Sequence, residues 1–320
     1  MVLNRVGRVG LSGATGMLGR AIAKEMMWRG ILGSLSSRTT IDSNHSSFSW
    51  SHWDLTEWKN PEELGDVFGK IDAVIHAGAS VPSPGMAIIN HKEIFDANVR
   101  SCLALGEWAI SEEIPLVYIS GAIVYDNAEE DFLDEASPVG GGGFGGFYGS
   151  TKLLAEQVLF ALQDKGLRLA VLRPTSIYGP GMHEEKMIPK FLSKLLDGEE
   201  IQLRPPIKDR INLIHSSDVA RATIDVIECG GRGVFNLAGP SEVSIEEIAN
   251  ACVSAVGAGT VTVEPEEVLS EPTVRYRLSS RKAREKFGFE AKMTLPEGIH
   301  TILVEDFGGH LESVNENGLG

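Results

Sequence analysis

An α/β fold built on a doubly wound parallel sheet is the class this sequence predicts, and three observations point to it. A glycine-rich turn near the N-terminus stands between a short apolar run and apolar residues at helical spacing. Short, nearly continuous apolar runs recur at Ala73 to Ile75, Leu116 to Ile119 and Leu169 to Leu172, as parallel strands covered on both faces require. A tyrosine and a lysine, Tyr148 and Lys152, then lie four apart in a helical segment.

The first strand is read from Val6, Val9 and Leu11, and the following helix from Ala21, Ile22, Met26 and Met27. Between them runs Gly13-Ala14-Thr15-Gly16-Met17-Leu18-Gly19. Gly13 allows the tight turn, Gly16 lets backbone approach a pyrophosphate, and Gly19 lets helix and strand pack closely. Phosphates then lie on the helix N-terminus, where free N–H groups and the dipole favour anions, with Thr15, Met17 and Leu18 alongside. This is the start of a Rossmann-like dinucleotide site.

Tyr148 and Lys152 are neighbours on one helix face. A phenol titrates near pH ~10, and a nearby cation favours tyrosinate and lowers that value, so Tyr148 is expected to act as a general acid/base. Just before this helix, Pro138 to Phe147 holds six glycines in ten residues. It reads as a mobile loop, either a closure over substrate or a surface insertion.

Gly13-x-x-Gly16-x-x-Gly19 followed some 130 residues later by Tyr148-x-x-x-Lys152 resembles the extended branch of the short-chain dehydrogenase/reductase superfamily, which includes nucleotide-sugar epimerases and dehydratases. The resemblance covers nearly the whole chain. It implies that Asp54, in Trp53-Asp54-Leu55-Thr56, contacts adenine after the third strand. It also implies that Ala77, Gly78 and Ala79 pass under the cofactor after the fourth strand, and that Asn98, Pro174 and Ile177 stand beside it. The block Arg210-Ile-Asn-Leu-Ile-His215 with Asp218-Val219-Ala220 fits in order. In the family's chemistry Tyr148 moves a hydroxyl proton and Lys152 holds the nicotinamide ribose. Substrate is expected at Val81, Ser120, Gly121, Ala122, Ser176, Arg210 and Arg275. Each residue also has a plainer reading. Asp54 can be a turn-forming acid or helix cap, Asn98 can satisfy a bulged helix, and His76 is better read as a hydrogen-bonded core histidine.

Cofactor choice turns on the end of the second strand. Leu35-Ser36-Ser37-Arg38-Thr39 has no acid for a ribose 2′-hydroxyl, while Arg38 can pair with a 2′-phosphate and Ser37 offers a hydroxyl. NADP(H) is favoured over NAD(H); the alternative makes Arg38 a solvated charge and gives Asp42 the acid role. The resemblance implies a nucleoside-diphosphate sugar, with Arg210 gripping the diphosphate and Arg275, Arg277 and Arg281 as a second basic cluster. Two departures stand out. Ser176 replaces the asparagine frequent in relatives, and Gly121 stands where relatives place Ser or Thr four residues before Tyr125. Ser120, a water or Thr151 are the candidates to replace that hydroxyl; an extended strand would point Ser120 to the opposite side. Epimerase or dehydratase chemistry, net reduction of a keto-sugar or other small carbonyl compound, and a non-catalytic dinucleotide sensor are the readings left open, the last disfavoured by the Tyr/Lys pair.

At 320 residues and 42% hydrophobic the chain can bury a large core. A cofactor domain is expected over 1–174, a smaller mixed α/β substrate lobe over 175–307 and a flexible tail over 308–320. The formal net charge of −15 disfavours a nucleic-acid partner. No apolar run reaches the ~18 residues of a membrane span, and the first residues enter the first strand too soon for a signal peptide. The three cysteines, Cys102, Cys229 and Cys252, are too scattered for a metal knuckle or disulfide framework. A cytoplasmic homodimer without a metal is the expectation.

Overall fold

The computed structural model describes residues 6–39, 46–82, 90–127, 132–140, 145–265 and 273–317. The first half alternates strand and helix: β1 (Arg8–Ser12), α1 (Met17–Trp28), β2 (Leu32–Ser37), β3 (Phe48–His52), α2 (Pro61–Phe68) and β4 (Ala73–His76). Next comes α3 (His91–Phe95), which continues through a π-helical turn, Asp96–Arg100, into α4 (Ser101–Ser111). β5 (Pro115–Ile119), α5 (Gly146–Gln163) and β6 (Arg168–Pro174) complete this half.

The second half contains β7 (Ser176–Tyr178), α6 (Met187–Leu196), β8 (Ile201–Leu203), β9 (Arg210–His215), α7 (Ser216–Glu228) and β10 (Gly233–Leu237). It ends with β11 (Glu242–Ser244), α8 (Ile245–Val256), β12 (Val261–Val263), β13 (Val274–Arg275), α9 (Arg281–Phe287) and α10 (Leu295–Asn317).

Seven strands form one sheet in the order β10-β6-β5-β4-β1-β2-β3, with every neighbouring pair parallel. Alternate residues feed two cores. Ile75, Val117 and Leu172 face α1 and α7, whereas Val74, Leu116 and Val171 face α2, α4 and α5. This is the expected doubly wound sheet, and the strand runs read from the sequence fall on β4, β5 and β6. The chain order reverses at β1, which lies between β2 and β4, so a crevice opens beyond the carboxyl ends of those strands.

The expected division at residue 174 does not follow the packing throughout. β10 returns to pair with β6, and Val219, Ala222 and Val226 of α7 enter the first core. The smaller lobe is built on β11-β9-β13 with β7 beside β9, and on the paired β8 and β12. α10 runs to Asn317, so a helix occupies most of the segment expected as a tail. Of the glycine-rich segment, residues 141–144 lie outside the described residues, and Gly146 and Phe147 already belong to α5. Among the described residues no helix is long and apolar enough to cross a membrane.

The helix carrying Tyr148 and Lys152 is fastened to the sheet by a buried ion pair. Arg173 on β6 donates from Nε to Glu156 Oε1 at 3.0 Å and from Nη2 to Oε2 at 2.6 Å. The guanidinium also lies 5.0 Å from the Tyr125 ring centre. Removing one partner of such a pair leaves an uncompensated buried charge, at a cost of about 3–5 kcal/mol. The orientation of α5 is therefore tightly set.

Candidate active site

A cavity of about 530 Å³ occupies the crevice. Its floor is made by two backbone turns in contact. Gly13 has φ +72°, and a Cβ there would stand 2.4 Å from Gly78 Cα. A Cβ on Gly19 would stand 2.1 Å from Gly13 O, so α1 also starts against the turn itself. Gly16 is the N-cap of α1 and offers no side-chain cap. The first-turn N–H groups therefore meet the cavity beside Thr15, Gly16, Met17 and Leu18, in the arrangement that binds anions.

One end of the cavity lies past β2 and β3, lined by Ser37, Arg38, Trp53, Asp54, Leu55 and Thr56. Arg38 is exposed there. Asp54 Oδ1 accepts from the Thr56 backbone N at 2.9 Å and from Thr56 Oγ1 at 2.8 Å. Asp54 thus serves as the turn-forming acid while lining the cavity. Asp42, the alternative acid, lies outside the described residues.

The other end gathers Ser120, Tyr148 and Lys152 with Ala77, Gly78, Ala79, Val81 and Ile177. Lys152 is buried; its Nζ donates to Ile119 O at 2.6 Å and stands 4.4 Å from the centre of the Tyr118 ring. Desolvation lowers its pKa to about 8. This differs from the expected pairing. Because the ammonium is held against a carbonyl and an aromatic face, it does not depress the Tyr148 phenol, which desolvation pushes up to about 12.

Ser120 also departs from expectation. β5 ends at Ile119, and Ser120, 7% exposed, lines the cavity with its buried hydroxyl lacking a hydrogen-bond partner among the described residues. Gly121 does not line the cavity, yet a Cβ there would meet nothing nearer than Ile123 Cγ2 at 3.7 Å and Pro174 O at 3.9 Å, both ordinary contacts. Thr151 is already committed. Its Oγ1 donates to Tyr148 O at 2.8 Å and accepts from Asn98 Nδ2 at 3.1 Å.

Asn98 holds protein instead of lining the cavity. It sits in the π-helical turn, where Oδ1 accepts from Ser80 N at 2.7 Å and Nδ2 donates to Ser80 O at 3.1 Å. The amide braces the loop that follows β4. His76 is the core histidine the sequence favoured. Ser101 Oγ donates to Ala97 O at 2.6 Å, so it accepts from His76 Nε2–H at 3.0 Å, and His76 Nδ1 is left to accept from Ser12 Oγ at 2.5 Å. Burial lowers the imidazole pKa to about 3, so it stays neutral.

Several expected contacts are not brought to the cavity. Pro174 and Ser176 flank the β6 to β7 junction without lining it, and Ala122 packs with Tyr125, Leu133, Tyr276 and Leu278. Arg210 donates to Glu242 O at 2.6 Å and pairs with Glu247 at 3.1 Å, while Arg275 lies on β13 opposite Ile211. Both belong to the smaller sheet and stand off the cavity. Conversely, Ser80, Glu93, Ala97 and Ile119 line the cavity without having been singled out. Glu93 and Ala97 lie one helical turn apart, Ala97 within the π turn, and no motif in the sequence marks them.

Residues 9–238 match the model of the NAD dependent epimerase/dehydratase family. A dTDP-glucose 4,6-dehydratase of Streptomyces niveus is 28% identical over 240 residues, spanning 74% of this chain and 70% of that protein. A dTDP-4-dehydro-6-deoxy-D-allose reductase of a Streptomyces species is 23% identical over 283 residues, spanning 82% and 83%. Among solved structures, MoeE5 in complex with UDP-glucose and NAD superposes with a TM-score of 0.79 at 24% identity, covering 95% of this chain and 99% of that one. UDP-N-acetylglucosamine 4-epimerase from Bacillus cereus gives 0.78 at 21% identity, covering 92% and 95%. With most of its length matched by the family model and the glycine turn in place over an uncapped helix, the chain belongs to the NAD-dependent epimerase/dehydratase family of enzymes.

Proposed function

We propose that this enzyme moves a hydride to or from a carbon of a nucleotide-linked sugar. The carrying observation is one cavity that joins the uncapped N-terminus of α1 to Tyr148, Lys152 and the unpaired Ser120 hydroxyl. The residues fit a dinucleotide: Gly13 and Gly78 let two turns meet backbone to backbone and keep the cavity floor free of side chains there, and the first turn of α1 offers N–H donors to a pyrophosphate. The relatives named for dTDP-sugars, and MoeE5 solved with UDP-glucose, support a sugar carried on a nucleoside diphosphate.

A bound nicotinamide supplies the hydride acceptor or donor, and the chain supplies positioning and proton movement. The Tyr148 phenol, protonated in the resting protein, exchanges the proton of the substrate hydroxyl or carbonyl oxygen. Lys152 spends one of its three N–H donors on Ile119 O and offers the others to the nicotinamide ribose. In the resting protein that charge leaves the phenol unaided, and with a ribose bridging the two side chains it favours tyrosinate as the proton leaves. Ser120 Oγ, buried without a partner, holds the substrate oxygen and takes the place of the hydroxyl missing at Gly121.

Net reduction with exchangeable NADPH is the second reading, favoured by Arg38. Its guanidinium stands exposed at the far end of the cavity, suited to a 2′-phosphate. Retained cofactor in the purified protein supports return of the hydride to the same sugar, whereas exchangeable NADPH supports net reduction.

Tyr148→Phe is expected to leave dinucleotide affinity nearly unchanged and to lower turnover about 100-fold or more; equal turnover removes Tyr148 from the mechanism. Ser120→Ala should lower turnover by the worth of one neutral hydrogen bond, about 0.5–1.5 kcal/mol, while Gly121→Ser, which has room, should be tolerated or mildly activating. An inactive Gly121→Ser beside a fully active Ser120→Ala contradicts the Ser120 role. Titration with both cofactors should show NADPH binding about 10-fold or more tighter than NADH, with the difference lost in Arg38→Ala. Equal weakening toward both, or tighter NADH binding at the outset, overturns that preference.

A further inference from the structure

The cavity that Tyr148 lines also has a glutamate in its wall that the proton chemistry does not use. Glu93 lies on α3, and it and Ala97, one helical turn later, both line the cavity. Two contacts fix this helix against α5. His91 meets Phe147 edge to face at 4.5 Å, and Asn98 bonds Thr151 at 3.1 Å. Glu93 falls between these contacts in sequence, and Tyr148 falls between their α5 partners, so Glu93 stands on the stretch of helix that packs against the start of α5. Of the acids lining the cavity, Asp54 sits at the opposite end and is bonded to Thr56. Glu93 is partly buried, and its carboxylate makes only a 3.4 Å contact with Asn90 Nδ2 among the described residues. An ionised carboxylate accepts about four hydrogen bonds and donates none. Its backbone N–H, not its side chain, takes the Asn90 cap at 3.1 Å. Its place in the first turn of α3 also suits the helix dipole, which leaves most of its acceptor capacity free.

We propose that Glu93 is a specificity-determining residue that accepts hydrogen bonds from the hydroxyls of a neutral nucleotide-linked sugar and turns away sugars bearing a carboxylate. This rests on the nucleotide-sugar reading above. A uronate carboxyl brought to this wall would face a like charge in a partly desolvated cavity, where such a juxtaposition is strongly unfavourable. The ring hydroxyls of a hexose find an acceptor there instead. The substrate class narrows to uncharged sugars.

The test is calorimetric titration of the dinucleotide-loaded protein with UDP-glucose and UDP-glucuronate, and with the dTDP-hexose dTDP-glucose, for the wild type and Glu93→Gln. The wild type should bind UDP-glucose at least about tenfold more tightly than UDP-glucuronate. In Glu93→Gln, which keeps shape and removes charge, that ratio should shrink mainly by gain of glucuronate binding, with dinucleotide affinity and thermal midpoint unchanged. Glu93→Leu should also admit glucuronate and additionally weaken UDP-glucose. A ratio unaltered by Glu93→Gln, or a wild type that prefers glucuronate, overturns the proposal while leaving the nucleotide-sugar reading standing. Dinucleotide binding with no response to any of the three sugars overturns both.

Discussion

The close contact between Gly13 and Gly78 is the constraint on which the site depends. Two neighbouring parallel strands, β1 and β4, end in turns pressed backbone to backbone, with no space for a side chain on either. That contact lets the cavity floor lie low enough for a flat ligand to cross the sheet. It also sets where α1 can begin, because Gly19 rests on the carbonyl of Gly13. Directly behind it, His76 joins Ser12 to Ser101, so the residue before each turn is tied to the bulged helix. A neutral imidazole suits this place: it donates once and accepts once without placing charge under the cavity.

The reaction end is built by a second set of restraints. Glu156 and Arg173 hold α5 on β6, Asn98 joins Ser80 to Thr151, and Lys152 is drawn down to Ile119 O. Tyr148 and Lys152 share a helix but have different surroundings. The lysine is anchored below, and the tyrosine stands in the wall with its proton firmly held. Their cooperation therefore passes through whatever lies between them, not through a direct bond in the resting protein.

Local features carried the fold. The glycine spacing, the apolar strand runs and the helical period each reflect interactions within a few residues or a simple burial pattern, and they placed β1, α1, β4, β5 and β6. Asp54 and His76 were legible for the same reason, since a turn acid and a strand histidine reveal themselves by position. What the sequence concealed depends on distant partners. Arg210 has an obvious charge, but Glu242 and Glu247, which satisfy it, are more than thirty residues away. The place of Ala97 and Asn98 depends on a π turn whose extra residue per turn shifts the helical register between α3 and α4. Ser120 points where the end of β5 allows, which alternation along an extended strand did not anticipate. The return of β10 and α7 to the first sheet is likewise a matter of topology.

The most direct measurement of the central claim, that the touching turns and uncapped helix form a dinucleotide cradle continuous with the Tyr148 end, is amide hydrogen exchange with and without saturating dinucleotide. Slowed exchange is predicted in residues 13–19 and 77–80, where N–H groups face the ligand or lie beneath it, together with slowing near Ser120. Saturation by dinucleotide with exchange in those segments unchanged, and protection appearing elsewhere, would contradict the account.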